Sequence, residues 1–90
     1  MHLNVLAKLL RTAGDENRLN IMCFLFNKRN TCVSEVAHAV SLSVATTSHH
    51  LRTMSKEGLL MSVRSGKKIC YGLPKERFVS DLKKFICKYK

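Results

Sequence analysis

Proline occurs once and glycine four times in ninety residues, so collagen-like repeats are excluded, and a 46% apolar content excludes disorder. No apolar run approaches the ~18 residues of a membrane-spanning helix, because Lys8 and Arg11 interrupt the one candidate near the N-terminus. The chain is therefore expected to be soluble and to keep its start. Its four cysteines, Cys23, Cys32, Cys70 and Cys87, lack C-x-x-C spacing and follow no secretion signal. That argues against a disulfide framework and for reduced thiols in a cytoplasm. Acidic residues are also scarce. Six of them face sixteen Lys and Arg, leaving a net charge of +10, which favours a polyanion, nucleic acid or an anionic membrane, over a neutral small molecule.

Ninety residues form one domain spanning 1–90, too short for a multidomain enzyme. A chain of this size buries only about 60% of its extended surface, so pairing with a second copy is the first expectation. Charge rises along the chain: +2 over Met1–Leu42, +4 over Ser43–Leu73 and +4 over Pro74–Lys90.

Leu3, Leu6, Leu9, Leu10 and Ala13 recur at helical spacing before Gly14, and define a first helix. Asp15 can cap a second, with Leu19, Ile21, Met22, Leu25 and Phe26 forming a broad apolar face, ending near Asn27–Asn30. Ser34 is the expected cap of a short third helix, Glu35–Val40. After Ser41-Leu42-Ser43, Ser43 caps a fourth that runs to about Lys56 and stops at Gly58. Two short helices across a tight turn read as helix-turn-helix. Extended runs then flank Ser65-Gly66 as a β-hairpin with a basic tip, and Pro74 suits the first turn of a last helix lined by Phe78, Leu82, Phe85, Ile86 and Tyr89. The expected fold is mainly α with a small hairpin, in the order α-α-α-α-β-β-α.

This order is that of a winged helix, and the sequence resembles the ArsR/SmtB family of bacterial and archaeal repressors over nearly its whole length. The residues that carry the resemblance are Asp15–Met22, Leu42-Ser43 through Thr47-Ser48-His49-His50-Leu51, Glu57-Gly58-Leu59-Leu60, and Arg64-Ser65-Gly66-Lys67 followed by Tyr71. The resemblance implies a homodimer, paired through first and last helices, that binds a palindromic operator on double-stranded DNA and releases it on sensing an inducer. It also assigns DNA contacts to Ser48 and His49. Val44 and Ala45 stand where many relatives carry polar residues.

Residue chemistry alone supports DNA binding. With Thr47, Leu51 and Met54 turned inward, about 100° per residue sends Ala45, Thr46, His49, Arg52 and Lys56 outward, with Ser48 at the margin. Small residues permit close approach, Thr methyls can meet thymine methyls, and Arg52 can donate to guanine or phosphate. Ser43, capping this helix, joins the candidate contacts. Arg64, Lys67 and Lys68 crowd the hairpin tip, an arrangement suited to phosphate. Adjacent His49 and His50 diverge by about 100° and do not converge on one ion, while His2 and His38 have no ligand partner at a suitable spacing. No nucleophile–base pair, phosphate loop or paired carboxylates occur, so neither an enzyme nor a cofactor is expected.

The cysteines suggest an effector. Cys32-Val33-Ser34-Glu35 is similar to the Cys-x-Cys-Asp segment of the family's soft-metal sensors, but Ser34 replaces the second thiolate, and no metal site is assigned. Cys23 and Cys87 resemble the branch that senses persulfides or oxidants through one thiol in each of the second and last helices. This makes them the candidate sensing thiols, with Cys32 and Cys70 dispensable. A trivalent arsenic site drawing on Cys32 or Cys87, and a winged helix that binds an acidic protein without effector, remain the alternatives.

Overall fold

The computed structural model covers residues 1–90 and shows five helices around a small antiparallel sheet. Helix α1 (Leu3–Ala13) ends where Gly14 N–H donates to Leu10 O at 2.9 Å. Asp15 then starts α2 (Glu16–Leu25), its carboxylate accepting from Arg18 N at 3.1 Å. Ile21, Met22 and Leu25 of α2 are fully buried against Val36, Leu51, Met54 and Leu59. Truncating any one of the larger of these to Ala removes about 2–5 kcal/mol, because so small a core cannot close over the cavity.

Strand β1 (Thr31–Cys32) leads directly into α3 (Val33–Val40), whose cap is Cys32 rather than Ser34; Ser34 lies in the helix and no side chain caps its start. Ser41 adopts a left-handed backbone, φ 58° and ψ 43°, which lets Leu42 N–H bond back to Ala37 O at 3.1 Å and turns the chain sharply. Helix α4 (Val44–Lys56) begins at Ser43, whose Oγ accepts from Thr46 N at 3.1 Å, as expected of that serine. Gly58, at φ 91°, stops it by letting Leu59 N–H reach Met54 O at 2.9 Å.

The hairpin comprises β2 (Met61–Ser65) and β3 (Lys68–Gly72). Its loop is Gly66-Lys67, one residue later than expected, because Ser65 pairs with Lys68 and Gly66 takes the positive φ of 64° that a type II′ turn asks of its first central residue. The expected element order holds, and β1 adds a short strand to it: the sheet order is β1-β3-β2, with Thr31 opposite Tyr71 and Cys32 opposite Cys70. Helix α5 (Arg77–Tyr89) starts after Glu76, so Pro74 lies in the connection before it and not in its first turn. Val79, Leu82 and Ile86 meet the core, and Lys83 Nζ donates to Phe26 O at 3.2 Å. Phe85 and Tyr89, expected on the same apolar face, lie against each other with tilted rings whose centroids are 5.1 Å apart, and stay 61% and 71% exposed.

Candidate nucleic-acid interface

The interface is built on α4, and α4 is held from beneath. Thr47, Leu51 and Met54 are fully buried, which orients the opposite face of the helix toward solvent. Ser43, Ala45, Thr46, His49, Arg52 and Lys56 are exposed, and Ser48 is half-buried. Arg52 Nη1 donates to Ser48 Oγ at 2.9 Å, so a hydroxyl one turn back holds the guanidinium along the helix with its other donors free. The Ser43 hydroxyl accepts the capping bond yet keeps its own O–H for a further partner.

His50 faces inward and has a structural partner: Arg18 Nε donates to its Nδ1 at 3.3 Å, while Arg18 Nη1 donates to Thr12 O at 3.3 Å. One guanidinium thus ties α1, α2 and α4 together. The His49 and His50 rings, 6.1 Å apart between centroids, diverge as helical geometry requires. His2 and His38 are exposed, and nowhere do three His, Cys, Asp or Glu side chains converge as a metal would need.

Arg64, Lys67 and Lys68 are all exposed on the hairpin, Arg64 and Lys68 on its two strands and Lys67 in the turn. The ion pairs of the chain, Lys8–Glu57 at 3.5 Å and Arg77–Asp81 at 3.9 Å, use none of the cations of α4 or the hairpin. Those charges are unneutralised. The start of α4 and the hairpin are also neighbours: Val44, Lys68 and Ile69 border one cleft of about 290 Å³ together with Cys32, Val33 and Ser34. Val44 and Ile69 are 55% and 47% exposed there, and supply an apolar patch between polar groups.

Among the thiols, the structure brings together the pair that the sequence left apart. Cys32 Sγ and Cys70 Sγ lie 3.2 Å from each other across β1 and β3. That contact, and then burial, push the Cys70 thiol above its ordinary ionisation range. Cys23 is half-buried against the core from α2, Cys87 is exposed on α5, and neither touches another thiol. Two features escaped sequence reading, the Arg18–His50 bond and the Cys32–Cys70 contact. Finding the second needed the register of a strand only two residues long.

Comparison with known proteins places this arrangement. Residues 15–62, from the cap of α2 into β2, match the family described as "Bacterial regulatory protein, arsR family". The HTH-type transcriptional regulator YgaV of Escherichia coli is 33% identical over 84 residues, covering 90% of this chain and 85% of that protein. The cadmium resistance transcriptional regulatory protein CadC of Listeria innocua is 44% identical over 58 residues, 64% of this chain and 49% of CadC, so the match spans about half of that relative's length. A crystal structure of a predicted DNA-binding transcriptional regulator from E. coli superposes with a TM-score of 0.84 at 31% identity, over 93% of this chain and 87% of that one. With the match running through the helix-turn-helix and the fold shared to the last helix, the chain belongs to the arsR family of bacterial regulatory proteins, which are regulators of transcription and not enzymes.

Proposed function

We propose that the protein is a cytoplasmic, homodimeric repressor that binds a palindromic operator on double-stranded DNA and leaves it when an inducer acts on its thiols. The observation that carries this reading is the conjunction of an outward α4 face of small residues and donors with a neighbouring hairpin whose cations have no internal partner. The α4 face suits a major groove, and the hairpin suits the phosphates beside it. A protein-binding surface would favour aromatic anchors, which α4 does not carry.

Pairing is supported by apolar surface that one chain leaves uncovered: Leu3, Val5 and Leu10 on α1, and Phe85 and Tyr89 on α5. Two copies joined through these helices would present two α4 faces to half-sites about 34–36 Å apart. For the inducer, Cys23 and Cys87 remain the sensing thiols of this reading, one on α2 and one on α5, where a polysulfide-derived link would draw the two helices together and couple thiol state to DNA affinity.

Light scattering at micromolar concentration, read beside selection of bound sequences from a random duplex pool, tests the DNA half. A species of twice 10.2 kDa and a palindromic consensus are expected; a stable monomer, or equal retention of single strands and anionic vesicles, refutes it. Polysulfide treatment of wild type, Cys23→Ser and Cys87→Ser tests the inducer half, because an unchanged response in either variant removes that pair.

A further inference from the structure

We propose that Cys32 and Cys70 form a redox-active dithiol, which a hydroperoxide oxidises to a disulfide between β1 and β3, and that this closure shifts the hairpin and weakens DNA binding. The geometry is set by pairing. Cys32 and Cys70 are directly opposed in the antiparallel register, and their sulfurs are already 3.2 Å apart. Opposed antiparallel residues have Cα atoms about 4.5–5.5 Å apart, inside the range of about 4.4–6.8 Å that a disulfide spans, so the bond can form with the strands still paired, side-chain rotation closing part of the gap and a small shift of β3 against β1 closing the rest.

Access is asymmetric. Cys32 is half-buried and borders the 290 Å³ cleft, whereas Cys70 is buried behind it. Cys32 also occupies the cap position of α3 without using its side chain there, so its thiol has no structural duty to lose. The reaction follows in two steps. The Cys32 sulfur takes the terminal oxygen of the hydroperoxide, releasing an alcohol and leaving a sulfenic acid; the Cys70 sulfur then attacks that sulfur, the S–S bond forms, the S–O bond breaks and water departs. Two thiols lose two electrons and two hydrogens, and one hydroperoxide is reduced to alcohol and water.

The bridge joins two parts of the candidate interface. Cys32 begins α3, which packs on α4, and Cys70 lies two residues from Lys68 on β3. Drawing the sulfurs together therefore moves the strand that bears the hairpin cations relative to α4. This second half rests on the DNA-binding reading; the dithiol chemistry does not.

The test uses the full chain with Cys23→Ser and Cys87→Ser, treated with cumene hydroperoxide after reduction, with a thermal melt confirming that each variant folds. Free thiols should fall from two to none, the mass should fall by two hydrogens, and peptide mapping should join Cys32 to Cys70. Cys70→Ser added to this background should halt at a sulfenic acid on Cys32 that dimedone traps. Two surviving thiols, or a bridge between protomers instead of within one, overturns the site. Affinity for a mixed-sequence duplex should fall by about fivefold or more on oxidation, at the lower end of ordinary coupling between sites. A bridged protein of unchanged affinity overturns the coupling. A reduced protein that forms the bridge yet never binds duplex refutes the DNA-binding reading, and the coupling with it, while the dithiol stands.

Discussion

Arg18 Nε donates to His50 Nδ1 at 3.3 Å, so a residue of the second helix adds a polar tie to the apolar packing that orients the fourth. Arg18→Ala removes this donor and the bond to Thr12 O together. The expected cost is about 1–3 kcal/mol, measured by urea denaturation, with a loss of duplex affinity that persists where the protein is fully folded. Normal affinity in folded Arg18→Ala would show that α4 is positioned by its apolar side alone.

On α4 and the hairpin, two kinds of contact should separate by their sequence dependence. Arg52→Ala and His49→Ala should weaken binding to a selected operator by about 1–3 kcal/mol and to random duplex much less, because base contacts discriminate. Lys67→Ala and Lys68→Ala should weaken both similarly, each lowering the salt slope of the dimer by about two, one for each protomer. Titrations at several salt concentrations decide between these roles, and uniform losses from all four substitutions would contradict them.

Thr47 Oγ1 is buried with no hydrogen-bond partner, at a position where α4 faces the core. Thr47→Val keeps the shape and removes the unsatisfied hydroxyl, so a gain of about 1 kcal/mol is expected, a rise in melting temperature of about 4–8 °C for a domain of this size. Duplex affinity should stay as it was. A lower melting temperature would mean that the hydroxyl does find a partner in solution.

Cys70 should make the fold less stable at alkaline pH. Its contact with Cys32, and then burial, raise its folded-state value above that of an unfolded chain. The folded protein therefore keeps this proton at a pH where the unfolded chain has lost it. The associated stability is complete below the ordinary thiol value near 8.5 and is lost as pH rises through the raised one. Denaturation midpoints of the reduced protein from about pH 7 to about pH 10 should fall more steeply for wild type than for Cys70→Ser; parallel curves would rule this group out.

The sequence made the helices legible because each carries local signals. Asp15 and Ser43 cap with their own side chains, Gly14 follows the last residue of α1, and Gly58 stops α4 through its positive φ. The α4 face was legible too, since the spacing of Thr47, Leu51 and Met54 marks the side that turns inward. What stayed hidden depended on partners distant in sequence. Strand β1 has two residues, too few for a period of two to register, and it exists because Thr31 and Cys32 pair with Tyr71 and Cys70 some forty positions away. Without the pairing of β1, Ser34 is the natural cap for α3 and Cys32 has no neighbour. Pro74 misled for a related reason: it suits a helix start, yet α5 begins at Arg77, where its apolar residues reach the core.

The sheet is three strands wide only at Cys70 and Tyr71; from Ile69 outward the hairpin continues as a two-stranded ribbon through Lys68 to the turn. Mechanically this is a cantilever, clamped at Cys70 and free at Gly66. A load applied at the tip, such as attraction to a phosphate, bends the ribbon beyond the clamp and leaves the packed core at Tyr71 undisturbed. The basic end can follow backbones of different curvature at little elastic cost, and its compliance is governed by how firmly one strand of two residues grips the root.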